Sequence, residues 1–95
     1  MDVRVRVDLS VAPQKKHVEQ MRLGAWLLAD DKSSVRVTRS DENVKSLVAA
    51  FTIPKARQID VVDRIGRQFW NVEDYQDLTI WFPQPPRRPR RRRSG

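Results

Sequence analysis

Residues 3–11 alternate strictly between apolar and polar side chains. The apolar positions are the odd ones, Val3, Val5, Val7, Leu9 and Val11, and the even positions hold Arg4, Arg6, Asp8 and Ser10. Side chains point to opposite faces of a β-strand in turn, so this pattern predicts a strand with one buried face and one open face.

Two segments show apolar residues at intervals of three and four, which is typical of amphipathic helices. The first is predicted at residues 14–29 and the second at residues 55–70. Their predicted buried faces are Val18, Met21, Ala25 and Leu28 in the first helix, and Ile59, Val62, Ile65 and Phe69 in the second. Asn71 is predicted to end the second helix, because Asn tolerates the left-handed backbone conformation found there.

Three more strands are predicted, at residues 34–39, 44–53 and 78–82. The polar residues 40–43 are typical of a hairpin turn between the first two of these strands. The resulting order is strand, helix, strand, strand, helix, strand. Right-handed crossovers fold this order into a ferredoxin-like split βαβ sandwich, an α+β fold with a four-stranded antiparallel sheet and two helices on one face. This domain is predicted to span residues 1–83, followed by a disordered Pro/Arg-rich tail at residues 84–95.

The face of the sheet away from the helices is predicted to be open. If the valines of the first strand face the helices, then Arg4 and Arg6 lie on this open face. The last strand pairs with the first in this topology, so Trp81 is expected near both arginines. An indole beside guanidinium groups forms a cation–π pair, and it also offers a stacking surface for an unpaired base. The alternative is that this face docks a protein partner or a second copy of the chain.

The charge of the chain is concentrated at its C-terminal end. Of nineteen Lys and Arg residues, six lie in the last nine positions: Arg87, Arg88, Arg90, Arg91, Arg92 and Arg93. Residues 1–86 therefore hold 19 − 6 = 13 basic against 12 acidic residues, and the tail supplies six of the seven net positive charges. A block of cationic charge seeks polyanions.

Three polyanions compete for such a tail: RNA, DNA and anionic membrane. Membrane attachment needs an apolar anchor beside the basic cluster, and none follows Phe82. DNA reading favours a helix with an uninterrupted basic face, but Asp60 and Asp63 interrupt the basic residues of the second helix. Arginine rather than lysine favours phosphate forks and base stacking, so RNA is the preferred partner. The remaining alternative is a tail that serves only solubility.

Catalytic and metal-binding signals are weak. His17, the only histidine, is preceded by Lys15 and Lys16 and is predicted to be an exposed surface residue. Glu73, Asp74 and Asp77 have the carboxylates to hold a hard cation, but they are predicted to form a solvated acidic loop. Docking of the arginine tail on that loop is a further hypothesis. We expect no enzymatic activity, no metal and no cofactor.

These observations favour a small cytoplasmic binding protein without a membrane-inserted segment. The predicted function is RNA or ribosome association, with the six tail arginines supplying affinity and Arg4, Arg6 and Trp81 adding contacts. The alternative is an accessory subunit or adaptor that docks a protein partner, or a second copy, on its open sheet face.

Overall fold

The computed structural model of the chain describes residues 1–55 and 57–83, apart from the side chain of Gln58. The elements in chain order are β1 (Asp2–Leu9), α1 (Lys15–Leu28), a short 3-10 helix (Lys32–Ser34), β2 (Arg36–Arg39), β3 (Ser46–Thr52), α2 (Gln58–Phe69) and β4 (Tyr75–Trp81). The strands form one antiparallel sheet in the order β2-β3-β1-β4. The predicted ferredoxin-like arrangement is confirmed. The predicted tail at 84–95 lies outside the described residues.

β1 is central in the sheet, as the predicted topology requires. Val3, Val5 and Val7 are fully buried, and Leu9 is nearly so. Burial of apolar surface contributes about 25 cal/mol per Å², so these side chains contribute to the stability of the core. α1 packs over β3 and β2, and α2 contacts β4, so the two helices share one face of the sheet. The rings of Phe51 and Phe69 stack in this core with centroids 6.3 Å apart.

The buried face of α2 differs from the prediction. Val61, Ile65 and Phe69 point into the core, whereas Ile59 and Val62 are exposed. The helix begins at Gln58 rather than at residue 55, and its buried residues recur every four positions. On an ideal helix, Val62 lies about 60° and Ile59 about 120° around the axis from the centre of the face formed by Val61, Ile65 and Phe69.

Three predicted boundaries also change around the end of α2. The helix ends at Phe69 with Trp70 as its cap, and Asn71 contributes by donating from its side chain to the Arg67 carbonyl, at 3.1 Å. The left-handed residue is Asp74, with φ 60°. β4 begins at Tyr75, so Asp77 belongs to the strand and not to the acidic loop.

Candidate nucleic-acid interface

A row of four residues crosses the open face of the sheet. Cross-strand pairing aligns Arg36 of β2 with Ala50 of β3, Ala50 with Arg4 of β1, and Arg4 with Trp81 of β4. Neighbouring strands lie about 4.8 Å apart, so the row is about 14 Å long. Trp81 is 40% exposed at the outer end of this row. The prediction that Trp81 lies beside Arg4 is confirmed.

The second row is less available for binding. It aligns Thr38, Val48, Arg6 and Thr79. The Arg6 guanidinium lies between two carboxylates: Nε is 3.2 Å from Asp8 Oδ1, and one terminal nitrogen is 3.7 Å from Glu42 Oε2. Nε is buried, and its orientation toward Asp8 does not make a hydrogen bond. Much of the Arg6 charge is therefore compensated by carboxylates of the same domain.

Arg4 and Arg36 are placed differently. Arg4 donates to the carbonyl of Val3, and Arg36 donates to the carbonyls of Ser33 and Val35. Within residues 1–55 and 57–83, neither guanidinium has a carboxylate within 4.0 Å. Their charges therefore remain available for an anion that approaches the open face.

Along β1, acidic residues lie on either side of Arg4 and Arg6. Asp2 lies in the row beyond Arg4, and Asp8 lies in the row beyond Arg6, opposite Asp77 on β4. The Ser46 hydroxyl donates to Asp8 and fixes its orientation. The uncompensated positive charge of the open face therefore lies in the row of Arg4 and Arg36, with carboxylates toward both ends of β1.

The predicted cation–π pair between Trp81 and the arginines does not form. Among the described residues the cation–π contact is Lys32 over Trp26, with Nζ 4.6 Å from the ring centroid. Lys32 also donates to the carbonyls of Trp26 and Ala29 at the end of α1. It thus satisfies the last carbonyls of that helix and complements its dipole. The Trp81 indole keeps its exposed surface for other contacts.

His17 is not the surface residue that the sequence predicts, because its side chain is fully buried. Nδ1 accepts a hydrogen bond from the Gln14 backbone N–H, at 2.9 Å, and Nε2 lies 2.9 Å from Asp74 Oδ2. Since Nδ1 accepts, the proton of the neutral ring lies on Nε2 and is donated to Asp74. This pair ties the start of α1 to the turn before β4.

The same residues bring three metal-ligating groups together. Donor atoms of His17, Glu73 and Asp74 lie within 4.8 Å of one another. However, the tautomer set by Gln14 leaves Nε2 protonated, so it offers no lone pair to a metal ion. Lys16 Nζ lies 2.8 Å from Glu73 Oε2, and this hydrogen bond raises the pKa of Lys16. The cluster is therefore organised by its own hydrogen bonds and ion pairs.

The sequence-predicted site residues are partly assembled by the fold. Arg4 and Trp81 are cross-strand neighbours, and Arg6 lies in the next row beside Thr79. The six tail residues Arg87, Arg88, Arg90, Arg91, Arg92 and Arg93 lie outside the described residues.

Comparison of the chain with known protein families, curated proteins and solved structures finds no match. In the part of the chain that the structure describes, no helix has the length and hydropathy needed to cross a membrane.

The sequence-based prediction missed two features of the His17–Asp74 pair: the burial of His17 and the identity of its partner. His17 lies four residues before Met21 and eight before Ala25, so the helical spacing itself indicates a buried position. Its charged neighbours obscured that signal. The Asp74 partner is 57 residues away, and no local pattern indicates it.

Proposed function

We propose that this protein is a cytoplasmic RNA- or ribosome-associated factor that binds single-stranded RNA and has no enzymatic activity. The observation that carries the proposal is the row formed by Arg36, Arg4 and Trp81 across the open face of the sheet. Trp81 also precedes the first tail arginine, Arg87, by only six residues. The row and the tail are therefore close enough along the chain to engage one strand.

Each component of this surface has a distinct role in binding. Arginines neutralise phosphates, release counterions and make affinity dependent on salt. An exposed indole stacks on an unpaired base, which contributes about 1–3 kcal/mol per base. A role in binding rather than catalysis agrees with the state of His17, because its two ring nitrogens are engaged by Gln14 and Asp74 and it is buried.

Salt-dependent RNA binding tests the proposal. For single strands, log K falls with log salt with a slope of about −0.7 per neutralised phosphate. Six tail arginines with Arg4 and Arg36 predict a slope of about −6. Replacing Arg4 and Arg36 by Gln should reduce it to about −4, and replacing the six tail arginines by Gln should leave about −1. Fluorescence anisotropy of a labelled single-stranded RNA measures these slopes on the full chain.

Trp81→Ala should weaken binding about 5- to 150-fold, as expected for the loss of one stacked base. The matched control is Trp26→Ala, because Trp26 is 48% exposed on α1, across the domain from the open sheet face. Equal effects of the two substitutions would refute a stacking role for Trp81. A full-length protein with weak, salt-insensitive binding that the tail substitutions do not change would refute RNA binding itself.

A second candidate is an adaptor that docks a protein partner on the same face. It is favoured by the apolar centre of the two rows, where Val48 and Ala50 are half-buried between the arginines. If this candidate is correct, Trp81→Ala should abolish binding of the partner and leave RNA affinity unchanged.

A further inference from the structure

The open face of the sheet holds a shallow trough between Trp81 and the turn that joins β2 to β3. Its volume is about 250 Å³, which is below the range of pockets that take drug-sized ligands. The half-buried side chain of Val48 lines it, together with the charged residues Arg6 and Glu42. The trough thus offers an aromatic ring, an apolar side chain and two opposite charges to one small, flat ligand.

Trp81 and Arg6 lie close together in this trough. Arg6 pairs with Thr79, two residues before Trp81 on β4, so Arg6 and Trp81 are diagonal neighbours across the two strands. Diagonal neighbours lie about 7–8 Å apart, within reach of aromatic and long side chains. A base that stacks on the Trp81 indole can therefore extend its edge to the Arg6 guanidinium.

Glu42 reaches the same guanidinium from the turn. Its Oε2 lies 3.7 Å from a terminal nitrogen of Arg6, a distance for charge attraction but too long for a hydrogen bond. Within residues 1–55 and 57–83, no group donates a hydrogen bond to this carboxylate. The turn itself is held by the Glu42 N–H, which donates to Ser40 Oγ at 3.2 Å, and by the Ser40 N–H, which donates to the Ser46 carbonyl. The Glu42 carboxylate is consequently positioned over the trough with its capacity to accept hydrogen bonds unused by these residues.

Guanine is the base whose edge complements a carboxylate beside a guanidinium. Its Watson–Crick edge presents the acceptor O6 and then two adjacent donors, N1–H and the N2 amino group. Adenine, cytosine and uracil have no two adjacent donors on this edge. A carboxylate accepts from two adjacent donors at once, and a guanidinium donates to a carbonyl oxygen. Unstacked bases of single-stranded RNA are commonly recognised by such contacts to the Watson–Crick edge.

We propose that the trough is a guanine site. The base stacks on Trp81, the Glu42 carboxylate accepts from N1–H and the N2 amino group, and a terminal nitrogen of Arg6 donates to O6. Because the charges of Arg6 and Glu42 offset each other, this pair distinguishes between bases and adds little to the salt dependence of binding. The site rests on the proposed RNA binding and adds a base preference to it.

The test is the affinity of the full chain for short labelled oligouridines that differ only in the central nucleotide, which is G, A, C or U. Fluorescence anisotropy should show about 5- to 150-fold tighter binding of the G strand, the discrimination expected from one bidentate contact. Inosine lacks the N2 amino group and should lose most of this preference. Equal affinities for all four strands would overturn the guanine site and leave RNA binding intact, whereas no measurable binding of any strand would overturn both.

Glu42→Gln tests the residue that reads the base. The amide keeps one acceptor oxygen and places a donor against the donors of guanine, so the preference for G should disappear. Binding of the unsubstituted oligouridine should persist, because Trp81, Arg4 and Arg36 are unchanged. Glu42 is 84% exposed on a turn, so the substitution spares the core. Glu19→Gln is the matched control, since it removes the same charge from an exposed position on α1, which covers the other face of the sheet. A preference for G that survives Glu42→Gln, or that Glu19→Gln also removes, would overturn the guanine site.

Discussion

His17→Ala should strongly destabilise the domain. The substitution removes a fully buried ring and both of its hydrogen bonds, one from the Gln14 N–H and one to Asp74. The bond at the start of α1 is comparable to a helix cap, worth about 1 kcal/mol. The bond to a carboxylate is worth about 1.5–3 kcal/mol. With some loss of packing added, the expected decrease in the free energy of unfolding is about 3–5 kcal/mol.

This loss is large for a domain of this size. Typical stabilities of about 0.05–0.15 kcal/mol per residue give about 4–12 kcal/mol for residues 1–83. Each kcal/mol corresponds to about 4–8 °C in Tm for a domain of 60–100 residues, so His17→Ala should lower Tm by at least about 12 °C. Urea unfolding followed by circular dichroism measures the change in free energy. A loss below about 0.5 kcal/mol, as for an ordinary surface position, would refute the buried pair.

Substitutions of Asp74 isolate the hydrogen bond from the packing. Asp74→Asn keeps an acceptor for the His17 Nε2 proton and should cost less than His17→Ala. Asp74→Gly removes the acceptor but relieves the left-handed backbone at φ 60°, which offsets about 1 kcal/mol. A double-mutant cycle between His17→Ala and Asp74→Gly should give a coupling of about 1–2 kcal/mol. Zero coupling would show that the two side chains do not interact.

Three further perturbations have expected outcomes. Gly66→Ala should raise the free energy of unfolding by about 0.5–1 kcal/mol in urea titrations, because an added Cβ meets Trp70 at an ordinary contact distance of 3.5 Å. Lys32→Met should lower it by about 0.5–1 kcal/mol by removing the cation at the end of α1. Thr52→Val should raise the pKa of Asp30 in an NMR titration, because the Thr52 hydroxyl bond lowers that pKa. In the unsubstituted protein, this bond contributes stability above the unfolded pKa of Asp30 that is lost as pH falls through the lower folded pKa.

The fold was predictable where the sequence pattern had one physical solution. Strict alternation is not compatible with a helix, so it predicted a strand, its buried face at Val3 to Leu9 and the outward position of Arg4. The prediction was wrong at its end, because β1 stops at Leu9 and Val11 is exposed. The pairing of Arg4 with Trp81 then followed from topology, because β4 must lie beside β1 in this order of elements.

The helical residues were harder to place. Val61 lies four residues before Ile65 and shares its side of α2, whereas Ile59 lies six residues before Ile65 and about 120° around the helix from it. The predicted face took Ile59 and Val62 in place of Val61. Ion pairs were not predictable either. The carboxylates that engage Arg6 come from its own strand and from a distant turn, so the sequence alone overstated the charge that Arg6 offers to a ligand.

The position of β1 at the centre of the sheet has a consequence for synthesis. β1 is made before every strand it pairs with, and the 65 residues 10–74 separate its end from the start of β4. At about 5–20 residues per second, synthesis of β4 begins roughly 3–13 s after synthesis of β1 ends. During that interval an unpaired apolar strand is exposed to aggregation and to chaperones. Nascent chains halted before Tyr75 should therefore remain sensitive to protease across β1.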